Sequence, residues 1–229
     1  MRTKRLARRV REERAAYGAV TAGIVVMEGA RLDEVEQYMR SLRAKAVSVS
    51  QALAAAGVPH AVIGGMAVLA HLLRVDKAAD RITRDLDVLV NRSDVDRAAQ
   101  ALKPLGFRYR EVMGIPAFVP PKEKSTPQHR FRESVHLVWA GEKVRPSDLE
   151  PAPSLAEAPT VRSPDGYACL DVERLLRMKL TSFRHKDIVH VQDLMELRLI
   201  TKKMEAGLPP ELRERLEQVK RDTERERLG

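Results

Sequence analysis

Along residues 31 to 56, apolar side chains recur at alternating spacings of three and four: Leu32, Val35, Met39, Leu42, Ala46, Val49, Leu53 and Ala56. One stripe of this period predicts a helix, and Gly57-Val58-Pro59 is a stop signal for it. A stripe of this kind suits a coiled-coil partner or the sheet of its own domain, and a single copy ahead of a strand points to the sheet. Two short apolar runs then bracket a second helix. His60 to Ile63 carries β-branched residues and stops at Gly64-Gly65, after which Met66 to Leu73 has helical spacing. The expected order is strand, glycine turn, helix. In the second run, Asp85-Leu86-Asp87-Val88-Leu89-Val90, a period of two puts Asp85 and Asp87 on one face and Leu86, Val88 and Val90 on the other.

Further along, Ser93 is a suitable N-cap for a crossover helix over 94–103, with Val95, Ala98, Ala99 and Leu102 on one side. Gly106 opens a strand over 107–112. Residues 113–130, rich in Pro, Lys and polar side chains, read as a mobile loop whose Lys122, Lys124, His129 and Arg130 either meet an anionic acceptor or are simply solvated. Residues 131–139 alternate again, with Phe131, Val135, Leu137 and Trp139 opposite Arg132, Ser134, His136 and Val138. Five prolines between 145 and 166 predict an extended connection without regular structure. The helix expected over 171–183 buries Val172, Leu175, Leu176, Leu180 and Phe183, and Lys179 falls into that apolar stripe. Such a lysine either snorkels to solvent or has a chemical reason to be there. Leu208-Pro209-Pro210 starts a last helix, 211–227, whose mixed charges fit an exposed surface.

The 229 residues are 44% hydrophobic, enough for a real core, and carry a net charge of +9, which suits an anionic partner such as nucleotide or nucleic acid. Residues 1–26 alone contribute +5, so the remainder is only mildly basic. No run approaches the 18 or so apolar residues that span a bilayer, so no membrane role is expected. Cys169, the single cysteine, can form no internal disulfide and points to a reducing, cytoplasmic setting. The basic start followed by AAYGAVTAGIVVM resembles a signal peptide, but Glu12 and Glu13 abut it and no small-x-small cleavage site is clear. A functional chain starting near Met27, led by an upstream extension or a disordered arm, is the alternative. No Ser-His-Asp, HExxH or CxxC constellation supports hydrolase or zinc chemistry.

Two places carry candidate chemistry. A glycine pair ahead of a helix lets a ligand approach unpaired backbone N–H groups and the positive end of the helix dipole, a seat for phosphate. Adjacent carboxylates on a strand repel one another unless a cation sits between them, and magnesium commonly takes one or two carboxylates plus substrate phosphates. Taken separately, the pair reads as an ordinary turn and Asp-x-Asp as a solvated edge. Taken together, with Arg81-x-Thr83-x-Asp85-x-Asp87 opening an apolar strand, they resemble the signature of the nucleotidyltransferase fold. The resemblance is in particular to the abortive-infection (AbiEii-like) group of type IV toxin-antitoxin systems.

The resemblance implies an α/β fold: a nucleotidyltransferase-like mixed sheet with flanking helices plus a C-terminal helical subdomain. The expected organisation is a basic arm at 1–26, the nucleotidyltransferase core at 27–145, a Pro-rich connection at 146–166 and the helical subdomain at 167–229. It further implies that Gly64 and Gly65, with Arg81 and Thr83, hold the NTP, and that Asp85 and Asp87 hold Mg2+. Met178-Lys179-Leu180, followed by Arg184-x-Lys186-Asp187 and Asp193, resembles the family's helical pair, in which Lys179 would contact nucleotide phosphates and Asp187 or Asp193 would assist. The family's third carboxylate, on the neighbouring strand, falls at His136, a departure that Glu133 does not obviously repair because it has the wrong parity. His136 is then a hydrogen-bonded structural histidine, a general base for the acceptor, or the mark of a degenerate module that binds NTP or RNA without turnover. The implied reaction is magnesium-dependent transfer of a nucleoside monophosphate from ATP or another NTP. The resemblance makes a tRNA 3′ end the acceptor and a cognate antitoxin the partner, with a protein hydroxyl or an aminoglycoside-like molecule as open alternatives.

Overall fold

The computed structural model describes residues 29–79, 81–112, 114–121, 133–156 and 160–228. The arm expected at 1–26, and Lys122, Lys124, His129 and Arg130, lie outside the described residues. The chain divides into two units, residues 1–41 and 42–229, and the division falls within helix α1, Gly29–Ala55. In the second unit the predicted stripe holds, for Leu42, Ala46, Val49 and Leu53 are all fully buried. Gly57 is left-handed (φ 64) and the Val58 N–H bonds back to the Leu53 carbonyl at 2.9 Å, which closes the helix and turns the chain into the sheet.

The sheet has seven strands in the order β3-β4-β5-β2-β1-β7-β6. β1 is His60–Ile63, β2 Leu86–Val90, β3 Arg108–Val112, β4 Ile115–Val119, β5 Val135–Trp139, β6 Thr160–Arg162 and β7 Ala168–Leu170. It is mixed: β2 runs antiparallel to β1 and parallel to β5, and β1 runs parallel to β7. β2 lies at the centre, and Leu86, Val88, Leu89 and Val90 are completely buried, leaving Asp87 as its one partly exposed side chain. A central strand covered on both faces loses the strict alternation of an edge, which is why Leu89 is as buried as the residues predicted to face inward. Helix α2, Gly64–Val75, follows β1 without a linker and is buried from Gly65 to Leu72. The Tyr167 hydroxyl donates to the Met66 carbonyl at 3.1 Å, and His71 Nε2 bonds the Leu170 carbonyl at 2.8 Å, fastening α2 to the β7 end of the sheet.

Several expected elements are corrected. Ser93 is not an N-cap: it lies inside a 3-10 turn, Arg92–Asp94, and helix α3 begins at Val95 and runs to Leu102, with Ala98 and Leu102 buried as predicted. The stretch read as a loop from 113 contains β4, which forms a hairpin with β3. Pro116 disguised it, because a proline cannot donate to a ladder. The structure accommodates the proline by pairing only Ala117 and Phe118 of β4 with β5. The Pro-rich connection likewise contains β6, paired antiparallel to β7.

The C-terminal helices are α4, Val172–Ser182, α5, His185–Glu196, α6, Lys202–Ala206, and α7, Pro210–Leu228. Asp171 caps α4 by accepting from the N–H groups of Glu173 and Arg174, and Phe183 closes it in the left-handed region (φ 43). α7 is not merely a surface helix. Its Leu212, Leu216 and Val219 bury against Leu176, Leu180 and Val191 of α4 and α5, a spacing of four and three hidden among twelve charges. Among the described residues no helix is long and apolar enough to cross a membrane.

The packing of α7 yields a direct test. Leu216 is fully buried, so Leu216→Ala should cost about 2–5 kcal/mol in chemical denaturation, whereas Glu214→Ala, on the exposed face, should stay within about 0.5 kcal/mol. Equal, small effects would show that the helix is not part of the core.

Candidate active site

The register of three strands builds the centre of the site. Ile63 pairs with Asp87 across β1 and β2, and Asp87 pairs with His136 across β2 and β5. Immediately after Ile63 the chain turns through Gly64, whose φ of +68 is one that residues with a side chain rarely adopt. Space matters as much as conformation. A Cβ on Gly64 would collide with Asp87 Oδ2 and stand 3.2 Å from its Cγ, and a Cβ on Gly65 would collide with Thr83 Oγ1 and stand 2.9 Å from the Thr83 Cβ. The turn is therefore pressed against Asp87 and Thr83, so the first turn of α2 and the carboxylate of β2 share one small space. Asp85 lies one residue ahead of β2 and is partly buried. His136 is 9% exposed, and its Nδ1 stands 3.6 Å from Asp87 Oδ1.

Lys179 approaches the same centre from α4. It does not snorkel: it is 5% exposed and its Nζ donates to Asp187 Oδ1 at 2.9 Å. Asp187, fully buried at the third position of α5, also accepts from Ser182 Oγ at 2.6 Å and Arg184 Nε at 2.8 Å, and the Arg184 N–H reaches it at 3.4 Å. Burial lowers the pKa of the Lys179 ammonium, countered by Asp187 and, more distantly, by Asp87. Burial would raise the pKa of the Asp187 carboxyl, yet Lys179, Arg184 and Ser182 hold it well below the usual carboxylate range. Asp187 collects several donors while Lys179 has one carboxylate in contact, and a buried carboxylate so supplied is a rigid anchor for the lysine.

Arg81 and Asp193 form an ion pair that ties the segment preceding β2 to α5. Arg81 is thus engaged by protein, and Asp193, 4% exposed, is placed on the side of α5 that faces the site. Sequence reasoning overlooked His190. It is 6% exposed, its Nδ1 lies 3.8 Å from Asp187 Oδ1, and its Nε2 would be 3.8 Å from a Cβ on Gly65. Burial, with the positive charges of Lys179 and Arg81, lowers its pKa and holds the imidazole neutral. A signal existed: Asp187, His190 and Asp193 recur every three residues, a polar line down one side of α5 beside buried Val191 and Leu194.

The structure thus gathers Gly64, Asp87 and His136 at one point, Gly65, Thr83 and His190 beside it, and Lys179 with Asp187 behind. Among the described residues no set of three or more His, Cys, Asp or Glu side chains is arranged to hold a metal ion. The donors fit a divalent cation in a narrower sense. Asp87 offers carboxylate oxygens in a partly open position, and with Asp85 just ahead of the strand this is the small protein share taken by an ion that completes its shell with water and substrate phosphate.

Residues 27–221 match the family described as uncharacterised nucleotidyltransferase, and the chain belongs to that family. None of the curated proteins compared with the chain matches it. Several solved structures resemble it, three of them as follows. One is an antigenic nucleotidyltransferase-like protein from Paracoccidioides brasiliensis (22% identity over 77% of this chain and 86% of that one, TM-score 0.49). The antibiotic-resistance factor ANT(2'')-Ia in solution shares 17% over 79% and 93%, with TM-score 0.45. A crystal structure of ANT(2'')-Ia with adenylyl-2''-tobramycin shares 16% over 82% and 99%, with TM-score 0.40.

Two substitutions test the packing. Gly65→Ala in a helix should ordinarily stabilise by up to about 1 kcal/mol. Here it should destabilise, and in a Thr83→Gly background the same change should become neutral or favourable in thermal unfolding. A Gly65→Ala gain in the parent would mean that Thr83 does not fill that space. For the buried pair, Lys179→Met should cost about 3 kcal/mol or more because it strips a cation from a buried carboxylate. Adding Asp187→Asn should recover part of that loss, and a fully additive double mutant would show that the two groups are uncoupled.

Proposed function

We propose that this protein is a divalent-metal-dependent nucleotidyltransferase that moves a nucleoside monophosphate from an NTP to an acceptor hydroxyl. The acceptor oxygen bonds to the α-phosphorus, the bond to the leaving pyrophosphate breaks, and the hydroxyl proton passes to a base. The observation that carries this reading is the packing of the Gly64-Gly65 turn against Asp87 and Thr83, with the Lys179 ammonium on α4 within the field of the Asp87 carboxylate. The N–H groups at the start of α2 receive phosphate oxygens. Asp85 and Asp87 are the residues that would hold magnesium, and an ion there supplies charge neutralisation on the phosphates. Lys179, held by Asp187, offsets charge that builds on the departing pyrophosphate. Arg81 and Thr83 shape the nucleotide side, Thr83 by packing on Gly65 and Arg81 through Asp193.

The finer reading is an abortive-infection toxin that modifies a tRNA 3′ end and is restrained by a cognate antitoxin. Its support is the sequence resemblance: the Arg81-to-Asp87 spacing, Lys179 and Asp187. A second reading is a degenerate module that binds NTP or RNA without turnover, and the observation favouring it is His136, an imidazole directly opposite Asp87 where the resemblance places a carboxylate.

Incubation with each α-labelled NTP and Mg2+ or Mn2+, offered total RNA, protein or an aminoglycoside, decides between them. Transfer should occur, and Asp85→Asn and Asp87→Asn should each lower it by about 10²-fold or more with circular dichroism unchanged. Full activity in both variants would sink the metal assignment. NTP binding without transfer to any acceptor would favour the second reading.

A further inference from the structure

We propose that His190 is a positioning residue for Lys179: when nucleotide phosphate draws the lysine off Asp187, the His190 Nδ1–H takes its place on the same carboxylate oxygen. The inference rests on the reading that Lys179 serves a phosphate and goes beyond it by giving His190 a role. Three observations support it. First, the two oxygens of Asp187 are held unequally. Oδ2 accepts from Ser182 Oγ, Arg184 Nε and the Arg184 N–H, whereas among the described residues Oδ1 accepts from Lys179 Nζ alone. Second, His190 Nδ1 is buried without a hydrogen-bond partner and stands 3.8 Å from that same Oδ1. Third, the ring is 6% exposed and its Nε2 lies 3.8 Å from where a Cβ on Gly65 would stand, so the α2 turn and Asp187 confine it from two sides.

The position of the ring fixes which nitrogen carries the proton. Beside a carboxylate the Nδ1–H tautomer is favoured, because the alternative sets a lone pair against Oδ1. The Nε2 lone pair then lies toward the start of α2, where the helix dipole is positive. Lys179 has three N–H donors, and one of them bonds Asp187. An arriving phosphate takes the others and pulls Nζ toward itself. Oδ1 would then be buried with no donor, which is costly, just as Nδ1 is now a buried donor with no acceptor. Closing the gap from 3.8 Å to about 2.9 Å satisfies both at once. Oδ2 keeps its donors throughout, so the carboxylate stays in place while the lysine moves.

The full-length protein with 15N-labelled histidine is examined by long-range 1H–15N nuclear magnetic resonance, with His190 assigned by comparison with His190→Phe. Nucleotide binding is measured by calorimetry with the α,β-methylene analogue of ATP and Mg2+. The parent protein without nucleotide should show the Nδ1–H tautomer at His190. That proton should shift downfield on adding the analogue and also, without nucleotide, in Lys179→Met. His190→Phe should leave the melting temperature of the nucleotide-free protein nearly unchanged, because the bond it removes is not made there, yet weaken analogue binding about tenfold. His190→Asn, whose amide keeps a donor near the Nδ1 position, should restore most of that affinity. An Nε2–H tautomer in the parent, or an Nδ1–H proton that shifts in neither sample, would overturn the inference. So would a His190→Phe variant that melts early and binds the analogue as tightly as the parent, the mark of a merely structural histidine. The parent spectra need no Lys179 variant, so a Lys179→Met chain that does not fold leaves the test intact. The nucleotide reading fails separately: an analogue that does not bind the parent removes that reading, and the Lys179→Met spectrum then decides whether His190 replaces the lysine on Asp187.

Discussion

The carboxylate of Asp87 occupies the volume that a side chain on Gly64 would need, and much of the molecule is arranged around that exclusion. β1 must end one residue earlier, at Ile63, so that its last paired position faces Asp87 and the next residue can turn with positive φ. Helix α2 starts at once, at Gly64, so its first turn stands against the Asp87 carboxylate. β2 must be central, since only burial on both faces holds a strand stiffly enough to present one partly open carboxylate at a fixed place. The physical origin is steric, and the electrostatic use follows from it.

A second constraint comes from Asp187. A carboxylate with no exposed surface is costly unless each lone pair is supplied, and this one is supplied by Lys179, Ser182 and Arg184. The network joins α4 and α5 through polar contacts, while Leu176, Leu180 and Val191 join the same helices and α7 through apolar ones. The apolar side provides the adhesion. The polar side sets where the Lys179 ammonium stands relative to Asp87, and the Arg81–Asp193 pair ties the Asp85 approach to the same helix. The C-terminal helices thus complete a site whose other half lies on the sheet.

Much of this was legible in the chain. The β-branched run ending in Gly64-Gly65, the period-two stretch through Asp87, the stripe from Leu42 to Leu53 and the intrusive Lys179 are local patterns, and each appears in the structure where periodicity placed it. The misses are also local in origin. Pro116 hid β4, because its missing N–H forbids full pairing and the actual sheet asks it for none on the β5 side. The charges of α7 masked Leu212, Leu216 and Val219, and Ser93 drew the helix start too early because cap preference cannot distinguish a 3-10 turn from an α-helix.

By itself the sequence determined which segments are strands and helices around the site and which side chains carry charge, because those properties depend on neighbours within a turn or two. It could not determine that Asp87 faces His136, that Lys179 is held by Asp187, or that His190 sits beside Gly65. Those pairings join residues from separate elements, and their distances are set by strand register and helix docking. One step of register would move every side chain of β5 to the other face, and only the packing of the whole core excludes that step.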